Sequence, residues 1–266
     1  MLQTLTTTQG SKRPVYGDLM STDHFSGHAG EYAKYRPSYP PELFAWLALH
    51  SPGNDLAWDC GTGNGQAAVA LASHYAAVHA TDLSPQQLAA APTDPRVHYL
   101  ATPAESSGLP EKSCDLVTVA QALHWFCHEA FYTEVKRVLR QGGLIAAWTY
   151  RLIESEPDLN AAVAHFHSKV VGPWWPTERK WVDVGYQGIP FPFADIPIPP
   201  FCIHREWTLA ELLSYLRTWS ATQRCWQETG IDPTLQFGVS LASIWPEPEQ
   251  TKSISWPLAI RCGRMI

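Results

Sequence analysis

Charge is scarce in this chain. Asp, Glu, Lys and Arg make up 17% of its 266 residues, and the net charge is -6. The basic residues are scattered, adjacent only in the pairs Lys12-Arg13, Lys136-Arg137 and Arg179-Lys180. No stretch could track a phosphate backbone, which disfavours nucleic acid as a substrate. The six cysteines, at 60, 114, 127, 202, 225 and 262, include no Cys-x-x-Cys pair. They read as free thiols in a reducing compartment. Long hydrophobic runs are missing as well. The longest uncharged Ala-rich run, Gln66 to Thr81, is too short and too polar to span a bilayer. Met1 to Gly10 is rich in Thr and Gln and lacks the apolar centre of a leader. The expectation is a soluble, cytoplasmic protein with no membrane partner; nothing fixes its oligomeric state. There is no Gly-x-Ser-x-Gly elbow for an acyl-transfer serine. His124 and His128 lie four apart, but Glu129 trails both, against the His-Glu-x-x-His order of zinc enzymes. No metal is expected.

What the chain does have is a βαβ rhythm in its first half and tryptophan in its second. Most of its 12 tryptophans follow residue 145. Apolar runs at Leu56–Trp58, Ala77–Thr81, Val97–Leu100, Cys114–Val119 and Leu144–Trp148 alternate with helix patterns at Gln66–Ser73, Ser84–Ala91 and His128–Leu139, the last ended by Gly142-Gly143. Such alternation predicts a doubly wound, mostly parallel sheet with helices on both faces. Residues 1–22 read as a flexible arm. Residues 23–50 read as a helical lid, interrupted at Arg36-Pro37 and reopened by Pro41. Residues 51–150 form the core and 151–250 a mostly helical cap. That cap carries one long helix from Leu209 to about Glu228, with Thr208 and Glu211 as a capping box. Residues 251–266 are expected to close the sheet as an edge strand.

The most informative stretch is Leu56-Ala-Trp-Asp-Cys-Gly-Thr-Gly-Asn-Gly-Gln66. A strand runs into three glycines at alternate positions and then a helix, which makes a cleft at the carboxyl edge of a parallel sheet. The dinucleotide pattern Gly-x-Gly-x-x-Gly fails, because Gln66 or Ala68 stands where its last glycine belongs. The Walker loop fails for want of Gly-Lys-Ser/Thr. Asp59 at the strand end would repel a phosphate but suits a ligand with an ammonium group. Asp82 ends the second strand, 23 residues on, where nucleotide folds place the carboxylate that accepts ribose hydroxyls. A helix cap for Ser84 is the other reading of Asp82.

The pattern Asp-x-Gly-x-Gly-x-Gly resembles the first motif of class I S-adenosylmethionine-dependent methyltransferases. Two further segments narrow the likeness. Gln121-Ala-Leu-His-Trp-Phe126 follows the fourth strand, and Phe25, Ala29-Gly-Glu-Tyr32 and Tyr35-Arg-Pro-Ser-Tyr-Pro40 open the chain. Both are similar to segments of a small-molecule subgroup that includes the trans-aconitate methyltransferases. The resemblance covers roughly residues 23–150 and is thin beyond, where only Tyr215-Leu-Arg-Thr-Trp-Ser220 looks like a pocket-lining helix of that subgroup.

The resemblance implies a Rossmann-like fold of the seven-stranded type and S-adenosylmethionine as cofactor. It assigns Asp59, Gly61, Thr62 and Gly63 to the amino acid and ribose. Asp82 and Leu83 follow at the ribose, Ala104 and Glu105 at the adenine, and Ala120 and Gln121 at the end of the fourth strand. Phe25, Tyr32 and Tyr35 could present aromatic faces to a sulfonium, and Arg36 a fork to the cofactor's carboxylate. His124 is the candidate base, should the acceptor have to lose a proton. Trp125, Tyr215, Trp219 and Ser220 are candidates for the acceptor site; Tyr215, Trp219 and Gln223 share one face of the helix after Thr208, and Ser220 and Arg224 form a neighbouring row. Tyr215 and Trp219 read equally well as core. The expected function is in-line methyl transfer to a small molecule, a carboxylic acid being the candidate acceptor. The alternatives are a cofactor-binding sensor without catalysis and a nicotinamide dehydrogenase.

Overall fold

The computed structural model describes residues 35–266. Phe25, Tyr32, the arm and most of the lid lie outside the described residues. The first element, α1 (Pro41–His50), starts on a proline at its first turn, where no N–H is needed. It buries Leu43, Phe44 and Leu47. Just before it, Tyr39 meets Trp148 edge to face at 5.4 Å, which pins the helix to the sheet.

The core then runs β1 (Leu56–Cys60), α2 (Gln66–Leu71), β2 (Ala77–Asp82), α3 (Pro85–Ala89), β3 (Val97–Ala101), β4 (Cys114–Ala120), α4 (His128–Val138) and β5 (Leu139–Tyr150). Beyond it come α5 (Pro157–His165), a π-helical turn at Phe166–Val170, α6 (Arg179–Asp183), β6 (Ala194–Asp195) and β7 (Cys202–Trp207). The chain ends with α7 (Leu209–Arg217), α8 (Ser220–Thr229), α9 (Pro233–Ser240) and β8 (Lys252–Arg264). The strands lie in the order β3-β2-β1-β4-β5-β8-β6, with β7 also on β8. Strands β1 to β5 are mutually parallel and β8 is antiparallel to β5. This is the expected doubly wound, mostly parallel sheet. The chain steps outward from β1 to β3 and then crosses to β4 on the other side of β1. The carboxyl ends of β1 and β4 therefore flank the topological switch point, where such sheets open their cleft.

Side-chain alternation fills both faces. Ala57, Leu144, Ala146 and Trp148 join α1 and α2 on one side. Trp58, Val117, Ile145 and Ala147 pack with Phe131, Val135 and Val138 of α4 on the other. A third cluster belongs to residues after the core: Phe166, Trp207, Leu212, Tyr215, Trp219, Trp245 and Trp256 are all buried in it. This is where much of the second-half tryptophan goes.

Three expectations are corrected. The closing strand is not an edge. Leu258–Arg264 pairs with β5 while Lys252–Pro257 pairs with β7, and β6 covers the far side at Gly263-Arg264. One 13-residue strand thus ties cap to core. Gly142-Gly143 does not end α4, because the helix stops at Val138 and Leu139 already pairs with Cys114. The glycines lie in a register shift of β5, where Gly142 donates to Met265 O at 2.9 Å. The long helix from Leu209 is broken at Thr218-Trp219 into α7 and α8, although its capping box is present as read. Among the described residues no helix is long and apolar enough to cross a membrane.

Candidate active site

The glycine loop is held from behind. Thr81 O accepts from both Gly61 N and Thr62 N, at 2.8 and 2.9 Å, so the loop folds over the end of β2. A side chain at Gly61 would drive its Cβ to 2.6 Å from that of Ala122, and one at Gly65 to 2.4 Å from the Tyr99 hydroxyl. Gly63, at φ +55°, differs: among the described residues a Cβ there would meet only Gln87 Oε1, at 3.9 Å. The first and last glycines make room for protein, and the middle one faces open space. A ligand pressed on bare backbone fits that opening.

Asp59 is fully buried. Its Oδ2 accepts from Thr62 Oγ1 at 2.6 Å and its Oδ1 from Thr118 Oγ1 at 2.7 Å. Burial pushes its carboxyl up to about 6, against the hydroxyl bonds that favour the charged form. The side chain expected on the cleft surface is thus behind it, bracing the loop through Thr62. Asp82 is half-buried at the mouth. Its Oδ2 accepts from Gly63 N at 2.8 Å and its Oδ1 from Ser84 N at 2.9 Å. The helix-cap reading is thus partly right, since Asp82 orients the turn into α3 while Ser84 Oγ caps Gln87 N. Leu83 beside it is exposed.

The other rim comes from the loops after β3 and β4. Ala104 is buried, and Glu105 Oε1 accepts from Cys127 N at 3.3 Å, joining the two loops. Ala120 ends β4. Gln121 then takes φ +59°, a conformation uncommon for a residue with a Cβ. Its Oε1 accepts from Thr149 Oγ1 at 2.7 Å, while its buried Nε2 has no hydrogen-bond partner. Strain beside an unsatisfied amide marks a place shaped for something other than stability. The 3-10 turn Leu123–Trp125 follows, with Trp125 41% exposed at the mouth.

His124 Nδ1 lies 3.2 Å from the Tyr186 hydroxyl. Burial, then the charge of Arg179, lowers its pKa to about 3. The neutral-range titration expected of it is not what its surroundings give: at pH 7 the imidazole is uncharged and a feeble base. His128 Nε2 is 3.0 Å from Leu123 O, so both histidines are spent on protein contacts. Among the described residues no His, Cys, Asp or Glu group is placed to hold a metal ion.

Arg36 stands at the joint of lid, core and cap. Its Nη1 donates to the Tyr150 hydroxyl at 3.2 Å and its Nη2 to Thr218 O at 3.3 Å. The guanidinium is 5.9 Å from the Tyr215 ring centre. Tyr215 and Trp219 are 1% and 4% exposed and belong to the cap's core. Their rings meet edge to face at 5.8 Å, and Tyr215 Oη accepts from Trp256 Nε1 at 3.2 Å. Ser220 opens α8 beyond the break, so it does not continue their helical face. The structure therefore brings Gly61, Thr62, Gly63, Asp82, Ala104, Glu105, Gln121, His124 and Trp125 to one edge of the sheet. Asp59 lies behind that edge, and Tyr215 and Trp219 lie in the cap. Sequence reasoning missed Thr118, Tyr186 and Arg179. Thr118 had a signal: it is a lone hydroxyl inside the apolar β4 run, in register with Asp59.

Comparison with known proteins bears on this arrangement. Residues 58–147 match the family model described as a methyltransferase domain. A Dictyostelium discoideum protein described as a methyltransferase is 33% identical over 211 residues, 78% of this chain and 80% of that one. The chain belongs to the methyltransferase family. A type II methyltransferase structure from Anaeromyxobacter dehalogenans superposes with a TM-score of 0.81 at 41% identity, covering 87% of this chain and 98% of its own. A malonyl-[acyl-carrier protein] O-methyltransferase of Marinomonas is 32% identical over 130 residues, 46% of this chain and 47% of its own. This methyltransferase is an enzyme of the S-adenosylmethionine-dependent kind, and membership implies S-adenosylmethionine as methyl donor. The open face of Gly63 and the half-buried carboxylate of Asp82 are compatible with that cofactor, which carries a ribose and no phosphate.

Proposed function

We propose that this methyltransferase carries a methyl group to a carboxylate of a small molecule, giving its ester, as the resemblance to the trans-aconitate subgroup implies. One observation carries the reading. Among the described residues, the histidine at the mouth is uncharged and weakly basic and the Asp59 carboxyl is buried, so neither offers the cleft a strong base. A carboxylate needs none, being ionised already at pH 7. When bound, the cofactor supplies an electrophilic methyl group on a sulfonium. A carboxylate oxygen held in line would take that methyl as the carbon–sulfur electron pair leaves with sulfur, and no residue would have to move a proton.

What the protein must supply is alignment and exclusion of water. Gly63 offers bare backbone to the amino-acid end, with Gly61 and Thr62 shaping the loop before it. Asp82 accepts the ribose hydroxyls with Leu83 beside it, and Ala104 and Glu105 flank the adenine. Ala120 and Gln121 line the sulfonium side, where the unsatisfied Gln121 amide has a donor to give. Arg36 remains the candidate for the cofactor's carboxylate. Trp125 borders the acceptor, with Tyr215, Trp219 and Ser220 behind it in the cap. The Marinomonas relative, an O-methyltransferase by description, agrees with oxygen as the acceptor atom.

The test is transfer of labelled methyl from S-adenosylmethionine to a panel of small carboxylic acids, phenols and amines. Base-labile label on an acid is the expected result. Transfer only to phenols or amines would overturn the ester reading.

A further inference from the structure

We infer that Arg179 is the specificity-determining residue of the acceptor site, gripping the acceptor's carboxylate through the two terminal nitrogens of its guanidinium. The inference deepens the proposed ester chemistry and rests on it for the identity of the anion.

Arg179 opens α6, and α6 lies over the turn that carries His124. Val182 is buried in the same cluster as Leu123. Tyr186 donates its N–H to Trp181 O at 2.7 Å and brings its hydroxyl to His124. On the other side, Arg179 faces the cap. Its guanidinium stacks on Trp175 at 4.4 Å from the ring centre. Trp175 in turn lies 4.9 Å from the His167 ring and 5.6 Å from that of Trp219. Arg179 thus sits against a run of packed rings, Trp175, His167 and Trp219, with His124 and Tyr186 close by on the side of the cleft mouth.

The way Arg179 is held decides what it can do. Its Nε donates to Asp183 Oδ1 at 2.9 Å, and Trp175 fixes the plane. The side chain is only 19% exposed. Among the described residues neither terminal nitrogen has a hydrogen-bond partner. A guanidinium pinned at its inner nitrogen and its face, with its outer fork unspent, is preorganised for end-on bidentate pairing with a carboxylate. His167 adds a second open donor or acceptor: its Nε2 is buried without a hydrogen bond, 3.8 Å from Asp183. Burial and the Arg179 charge lower the His167 pKa to about 4, so it stands uncharged at pH 7 and does not compete for the anion. Asp183 is paired with Arg179, and the Arg179 charge acts on His167, His124 and Tyr186; among these described groups the one carboxylate, Asp183, is the one that holds Nε.

The experiment is calorimetric binding of two anionic probes, malonate and phenylacetate, to the full chain saturated with S-adenosylhomocysteine, beside Arg179→Gln and Arg179→Lys. At least one probe should bind the native protein. Its affinity should fall about 10- to 100-fold in Arg179→Gln, the cost of losing a charge-assisted pair. Arg179→Lys should recover part of it, with S-adenosylhomocysteine affinity unchanged in both. Absence of probe binding to the native protein, or equal binding by Arg179→Gln, would overturn the inference. So would a parallel loss of S-adenosylhomocysteine, which would place the guanidinium on the cofactor. If the anion site behaves as expected but no acid accepts a methyl group, the ester reading fails and the site stands.

Discussion

Asp82 accepts a hydrogen bond from the backbone N–H of Gly63 at 2.8 Å, so the carboxylate expected to meet the ribose also sets the height of the loop beneath it. Asp82→Ala should therefore weaken cofactor binding twice over, by loss of the acceptor and by slackening of Gly63. The expected cost is about 1–3 kcal/mol. Calorimetry with S-adenosylhomocysteine measures it, and an unchanged affinity would remove Asp82 from the site.

Asp59 is held by the hydroxyls of Thr62 and Thr118 behind the loop, an arrangement that braces the loop. Asp59→Ala strands two buried hydroxyls and should cost about 1–3 kcal/mol of stability. The decisive comparison uses two ligands. 5′-Methylthioadenosine lacks the amino acid altogether. If Asp59 braces the loop, the substitution weakens this compound and S-adenosylhomocysteine alike. A loss confined to S-adenosylhomocysteine would mean that the carboxylate does reach the ammonium.

His124 should leave its mark on stability more than on rate. An unfolded histidine titrates near ~6.5, whereas burial holds the folded one at about 3. On acidification the unfolded chain takes the proton first. Stability is intact above the unfolded value and falls as the pH drops toward the folded one. Asp59 acts in the opposite sense, since its raised carboxyl favours the fold below about 6 and that contribution is lost as the pH rises through it. The readout is therefore the difference between proteins. Between about pH 7.5 and about pH 5, the native chain should lose about 2 kcal/mol more than His124→Gln. Denaturant unfolding at both pH values checks this. Its turnover should fall by less than about tenfold, far short of the ~10²–10⁴ expected for a missing base.

How much of this was legible in the sequence varies with the local physics. Strands β1 to β4 and the glycine loop announce themselves, because apolar runs end at turn residues whose backbone demands are narrow. The break at Thr218-Trp219 does not. Leu209, Leu212 and Leu216 keep helical spacing up to it, and the interruption comes from Trp219 packing against Phe166, His167 and Trp175, far away in the chain. Gly142-Gly143 reads as a helix stop but serves a strand, since pairing of Leu139 with Cys114 ends the helix earlier. Arg179 lay in a Pro- and Trp-rich stretch with no period, so nothing local set it apart from other surface arginines. The burial of Asp59 behind the loop was not legible either, because burial is not visible in a motif.

The cap's aromatic pair gives a structural prediction. Tyr215→Phe removes the acceptor for Trp256 Nε1 in a dry core and should cost about 1–3 kcal/mol. Trp219→Ala should cost about 3–5 kcal/mol by opening a cavity. Thermal unfolding measures both. If acceptor KM changes while stability does not, Tyr215 and Trp219 are pocket walls and not core.

The account rests on the cofactor lying against the open face of Gly63. Gly63→Val tests this most directly, by titration of S-adenosylhomocysteine into the native protein and the variant, each checked for folding by circular dichroism. The native chain should bind, and the folded variant should show no binding, because the valine side chain occupies the space above the loop. Binding of equal strength by both, or none by the native chain, would contradict the assignment of the site.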